Sequence, residues 1–189
     1  MIEIIRGRIE ESIQVKQALL SRCLPEIEKA AHMMVSAYGA GKKAVFFGNG
    51  GSASDAMHIT AELVGSYLKR RKALPALALN ANASILTALS NDYGYDELFS
   101  HQMPAYLQAG DVAVGLSTSG RSTNVLKGIQ AARALGAKTL ALLGKDGGTI
   151  AREADVSIVV PSSATDRIQE SHILIGHILC EMVETAMFK

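Results

Sequence analysis

The chain has 189 residues, enough for one domain with a substantial buried core. Apolar residues make up 48% and charged residues 20%, with 19 Lys and Arg against 18 Asp and Glu, so no basic field exists to attract nucleic acid or acidic lipid. Trp is absent and aromatics are only 5%, which argues against a stacking surface for single strands, and no apolar run is long enough to cross a bilayer.

In chain order, Met1 to Glu11 carries charges throughout and lacks the apolar stretch of a signal peptide, so a cytoplasmic location is expected. From Ile2 to Tyr38 apolar residues recur at helical spacing, broken at Pro25, which predicts two helices or one kinked helix. After Gly39–Gly41 the pattern changes. Short β-rich runs at Ala44–Gly48, Ala76–Leu79, Val112–Ser117, Thr139–Leu143 and Val156–Val160 alternate with helical stretches near Ser54–Tyr67, Ser84–Asn91, Ser122–Leu135 and Gly148–Glu153. Continuous apolar strands separated by helices predict an α/β fold, a parallel sheet covered on both faces. The last segment, Asp166 to Phe188, reads as a helix apolar on several sides and therefore buried, and one sheet of this size cannot cover both terminal helices, which points to an oligomer. Cys23 and Cys180 lie in helical segments with no spacing that suggests a disulfide or thiolate site.

Two loops follow strands and open helices: Gly48-Asn49-Gly50-Gly51-Ser52-Ala53-Ser54-Asp55 and Ser117-Thr118-Ser119-Gly120-Arg121-Ser122. In an open parallel sheet, ligands bind beyond the carboxyl ends of the strands. Glycines and hydroxyls at a helix N-terminus offer free N–H groups and a favourable dipole, which suit a phosphate. Either loop alone is equally well a tight turn with Ser or Asp caps, but two on one sheet edge favour an anionic ligand. Neither carries the P-loop or dinucleotide glycine pattern, so no nucleotide is expected.

His58 and Glu62 are spaced i, i+4 and share one helix face. On the final helix, Gln169 and His177 are separated by about 80° at 3.6 residues per turn and can converge on a site between those directions. Such a group could bind a divalent metal or serve as acid and base. A His–Glu pair is also a common surface ion pair, and a histidine in an apolar helix a common core residue. Asn91-Asp92-Tyr93-Gly94 reads as a helix end and turn; His101 and His172 have no partner spacing; Arg70-Arg71-Lys72 reads as a solvated basic cluster.

Taken together, Gly48–Ser52, Asp55-Ala56-Met57-His58 with Glu62, Asn91–Gly94, Ser117–Gly120 with Ser122, Gly144-Lys145-Asp146-Gly147-Gly148, and Arg167-Ile168-Gln169-Glu170 with His172 and His177 resemble the phosphoheptose (sedoheptulose 7-phosphate) isomerases of the sugar isomerase (SIS) domain family, over essentially the whole chain. The resemblance implies one SIS domain over residues 1–189, with a helical segment 1–39 and an α/β core 40–189. It implies a flavodoxin-like five-stranded parallel sheet flanked by helices, and terminal helices packing in a homotetramer with interfacial active sites. By matching positions, Asn49, Gly50, Gly51, Ser52, Glu62, Asn91, Asp92 and Gln169 would contact a heptose phosphate, and Ser117, Thr118, Ser119 and Ser122 would hold its phosphate. His58, Glu62, Gln169 and His177 match the family's ligands for one zinc per subunit, and Glu62 and His177 its proton-transfer pair.

The implied activity is conversion of sedoheptulose 7-phosphate to D-glycero-D-manno-heptose 7-phosphate through an enediolate, in ADP- or GDP-heptose precursor synthesis such as that of lipopolysaccharide. A base must reach the carbon-bound proton while charge on the oxygens is stabilised. A zinc-bound carboxylate is a weaker base, so Glu62 either shifts between roles or leaves more of the work to His177. The sequence departs from the family at Ser66, where Arg is common; Lys69, Arg70 or Arg71 could supply the charge. Two alternatives stand beside this reading: a non-catalytic SIS tetramer that binds a replication initiator protein, whose known example lacks the His and Glu of the first helix and the second-helix His, and a SIS isomerase for another sugar phosphate.

Overall fold

The computed structural model describes residues 1–188. Two helices open the chain, α1 (Ile2–Arg22) and α2 (Leu24–Gly39). The break falls at Cys23, and Pro25 sits in the first turn of α2, where its missing N–H costs no helical bond. Then come β1 (Ala44–Gly48), α3 (Gly51–Val64), β2 (Ala76–Ala78), α4 (Ala83–Tyr93), α5 (Met103–Tyr106), β3 (Val112–Ser117), α6 (Thr123–Ala134), β4 (Lys138–Gly144), β5 (Val156–Val160) and α7 (Thr165–Met187). The helix expected over Gly148–Glu153 is only a 3₁₀ turn at Ile150–Arg152, since few residues separate the glycines from β5. None of the described helices is long and apolar enough to cross a membrane.

All five strands are parallel, in the order β2-β1-β3-β4-β5. This is the flavodoxin-like order of an α/β sheet, and its direction of winding reverses between β1 and β3. Gly48 pairs with Leu116 in the register, so the two glycine- and hydroxyl-rich loops leave neighbouring strands side by side.

Side chains alternate across the sheet into two cores. Phe46, Val114, Leu140, Leu142 and Ile158 face α2, α3 and α7, in a cluster with Met34, Ile59, Ile168 and Ile175. Val45, Phe47, Ala113 and Leu143 face the other way, against Phe99, Val125 and Ile129. The terminal helices differ: α7 buries residues along its length, whereas Leu19 is the buried residue of α1. Polar contacts hold α1 to α7: the Ser12 hydroxyl donates to Glu170 (2.7 Å), and Arg167 donates to the Arg8 carbonyl (3.1 Å).

Candidate active site

The crossing of α3 over α7 brings the titratable groups together. Gly176 permits the close approach, since a Cβ there would lie 2.5 Å from Ile59 Cδ1. The next residue on α7 is His177 and the residue before Ile59 is His58, so the same crossing sets the two imidazoles side by side, with His58 open to solvent. Their Nε2 atoms are 3.0 Å apart, and Glu62 Oε1 lies 3.2 Å from His58 Nε2. Donor atoms of all three residues lie within 4.8 Å of one another. Two imidazole nitrogens this close need a proton or a cation between their lone pairs. With a carboxylate beside them the donor set fits a divalent metal of zinc type with a position left open. The Gln169 carboxamide lies directly over Gly51, against the amino end of α3.

The second loop gathers hydroxyls at the amino end of α6. Ser117 and Ser122 share a hydrogen bond of 3.0 Å, Ser119 Oγ is 3.5 Å from Ser117 Oγ, and the Arg121 N–H donates to Ser119 Oγ (3.2 Å). Ser122 makes no capping bond to α6 and Asn124 Oδ1 accepts the Val125 N–H (2.9 Å), which leaves the Thr123 and Asn124 N–H groups and the dipole beside the hydroxyls. Gly120 has φ +65°, and its backbone lies against Gly147 and Gly148, so the Gly144–Gly148 loop braces the hydroxyl loop from behind. The Arg121 side chain pairs with Asp146 and is thereby turned to the same brace.

The first loop is fixed by groups that its own sequence does not reveal. Asn49 and Asn124 exchange carboxamide hydrogen bonds of 2.8 and 3.0 Å, and Tyr95 Oη donates to Asn49 Oδ1 (2.8 Å). Neither Asn124 nor Tyr95 stands out in the chain; the clue was Asn124 lying two residues beyond Ser122. Ser52 is buried in the first turn of α3. Asn91 and Asp92 lie exposed at the end of α4 and bond to each other (2.8 Å), just before the segment that Tyr95 ties to Asn49. Asp55, one turn before His58, is half-buried; burial pushes its carboxyl up to about 6, against the opposing field of His58.

The basic cluster is not solvated as a whole. Arg71 is buried in an ion pair with Glu184 (2.7 Å), and Lys69 donates to the Phe188 carbonyl (2.8 Å). Of the three side chains in reach of the Ser66 position in sequence, these contacts engage Arg71 and Lys69 and leave Arg70 exposed. His172 is a core residue, donating from Nε2 to the Leu143 carbonyl (3.0 Å), and His101 stacks on Tyr93 at 4.2 Å.

A hydroxyl cradle at the carboxyl edge of a parallel sheet, with an imidazole–carboxylate group where α3 crosses α7 on the sheet face, defines an α/β protein with a site suited to small phosphorylated ligands. The family model for the SIS domain matches residues 9–144. The phosphoheptose isomerase of Geobacter sp. (strain M21) is 50% identical over 188 residues, covering 100% of this chain and 98% of its own. Solved phosphoheptose isomerases superpose with TM-scores of 0.92 (GmhA from Neisseria gonorrhoeae, 41% identity) and 0.93 (Francisella tularensis, 35% identity), each covering 97% of this chain and 98% of the other. The chain therefore belongs to the SIS domain family, within its phosphoheptose isomerase branch.

Proposed function

We propose that the chain is an aldose–ketose isomerase that converts sedoheptulose 7-phosphate to D-glycero-D-manno-heptose 7-phosphate. The observation that carries the reading is the convergence of Glu62, His58 and His177 in a chain half identical, end to end, to a phosphoheptose isomerase. Ser117, Thr118, Ser119 and Ser122, with the first N–H groups of α6, hold the phosphate. Asn49, Gly50, Gly51, Ser52, Asn91, Asp92 and Gln169 contact the sugar chain.

Glu62 takes the proton from C1 of the ketose, leaving an enediolate, and returns it to C2. His177 moves the balancing proton from the C1 oxygen to the C2 oxygen, so atoms and charge are conserved. His58, Glu62, Gln169 and His177 would hold a zinc ion. Bound there, it supplies Lewis-acid stabilisation of oxygen charge. The product feeds nucleotide-activated heptose synthesis in the cytoplasm.

The working unit is a homotetramer with sites at subunit interfaces. Support comes from α1, whose Ile2, Ile4, Ile5, Ile9 and Ile13 are each at least half exposed in the single chain.

The test is NMR detection of product from sedoheptulose 7-phosphate with the purified protein, with fructose 6-phosphate as control. Conversion of the heptulose alone is expected. Conversion of neither sugar by zinc-loaded protein would turn the reading towards a binding role.

A further inference from the structure

Beside the imidazole–carboxylate group runs a loop, residues 65–73, that leaves α3 and returns to β2. Its hub is Glu184 of α7, whose side chain is 1% exposed. The carboxylate accepts three consecutive backbone N–H groups, from Tyr67 (2.8 Å), Leu68 (2.9 Å) and Lys69 (3.2 Å). It also accepts from Arg71 Nε (2.7 Å). The remaining nitrogens of Arg71 donate to the carbonyls of Glu62 (2.8 Å), Leu63 (2.8 Å) and Lys72 (3.1 Å). A buried carboxylate is costly unless such partners surround it, and a buried guanidinium likewise. Each makes the other tolerable, and the pair joins the last turn of α3 to α7.

The geometry of this hub has a direct consequence for His177. Glu184 is seven residues on from His177, two turns along the same face of α7. The first N–H it captures belongs to Tyr67, and the Tyr67 ring lies flat on the His177 imidazole, with centroids 5.2 Å apart and planes only 9° from parallel. On its edge the imidazole meets His58, at 5.1 Å and 65°. An imidazole on a helix turns about its side-chain torsions unless neighbours hold it, and the ring orientation decides where Nε2 points.

We infer that Tyr67 is a positioning residue that clamps the His177 imidazole by stacking, and that the Glu184–Arg71 pair exists to fix Tyr67 there. The inference rests on the isomerase reading and extends it to a residue outside the proton-transfer pair. Because Glu184 holds the Tyr67 backbone, replacing the ring leaves the loop anchored. A misplacement of a reacting group by about 1 Å costs roughly 10²-fold in rate, so loss of the stack reads out in turnover.

The test combines two readouts on Tyr67→Leu and Tyr67→Phe. In metal-free protein, the His177 ring protons, assigned by their loss in His177→Gln, are expected upfield from the ring current of Tyr67. Tyr67→Leu should abolish that displacement and lower kcat about tenfold or more, with KM held within about threefold. Tyr67→Phe should restore both. Unmoved ring signals in Tyr67→Leu, an unchanged kcat, or a Phe variant as slow as the Leu variant would each overturn the inference. The two readings fail separately: wild-type protein with displaced signals but no conversion of either sugar loses the isomerase reading and keeps the stack.

Discussion

Glu62 touches His58 through one carboxylate oxygen, at 3.2 Å, while the other oxygen is free of that contact. That division allows one side chain both to join a metal-binding group and to face a substrate carbon. Glu62→Gln keeps the size and the hydrogen-bonding shape but removes the basic lone pair. Turnover should fall by about 10²–10⁴-fold, while the thermal midpoint stays near wild type. Rates by NMR and melting by circular dichroism check both halves, and near-normal turnover would remove Glu62 from the mechanism. His172 makes a different prediction. Burial drops its pKa from 6.5 to about 4, with the hydrogen bond to Leu143 only partly opposing. Above pH 6.5 both folded and unfolded chains are neutral at this residue and its stability contribution is whole. Between pH 6.5 and 4 the unfolded chain takes up a proton that the folded chain refuses, so stability is lost as pH falls. By pH 4 the loss is about 3 kcal/mol. Urea titrations across this range should show a flatter pH slope in His172→Gln than in wild type; parallel slopes would assign the acid lability elsewhere.

At the scale of elements, the α3–α7 crossing governs the site. Gly176 leaves no room for a side chain against Ile59, so Gly176→Val must push the helices apart or bend them. Overpacking of this kind costs about 1–3 kcal/mol. The zinc proposed for this group should also bind more weakly to the variant, measurable by competition with a chromogenic chelator, because His58 and His177 flank the contact. Unaltered zinc affinity would show that the imidazoles adjust independently of the crossing. The five strands were legible in the sequence because each is a short, mostly apolar run set between helical stretches, and the loops after β1 and β3 were legible because small residues cluster there. His58 and Glu62 shared a face by spacing alone. What spacing could not reveal is pairing across the chain: Arg71 read as one of three surface cations because Glu184 lies 113 residues away. Asn124 and Tyr95 were hidden for the same reason, their partner Asn49 being 75 and 46 residues distant.

For the whole molecule, α1 poses the question of what covers it. A helix of 21 residues with Leu19 as its buried residue gains little from the core of its own chain. Ile2, Ile5, Ile9 and Ile13 follow one another at helical spacing and are 70%, 52%, 56% and 50% exposed. Polar contacts through Ser12, Arg8, Glu170 and Arg167, with Val15 and Leu19 packed on the core, dock α1 and leave this isoleucine stripe facing outward. A helix so placed is marginal in water unless another surface covers its apolar face. A second copy of the chain is the cover that the tetramer reading requires. Replacing Ile5 and Ile9 together by Glu puts two charges into that contact without touching the sheet or either loop. Analytical ultracentrifugation should then show species smaller than the wild-type oligomer. If the sites lie between subunits, isomerase activity should fall with the oligomer and recover as protein concentration rises. A variant that keeps its oligomeric state would place the interface elsewhere, and one that dissociates with full activity would show that each chain holds a complete site.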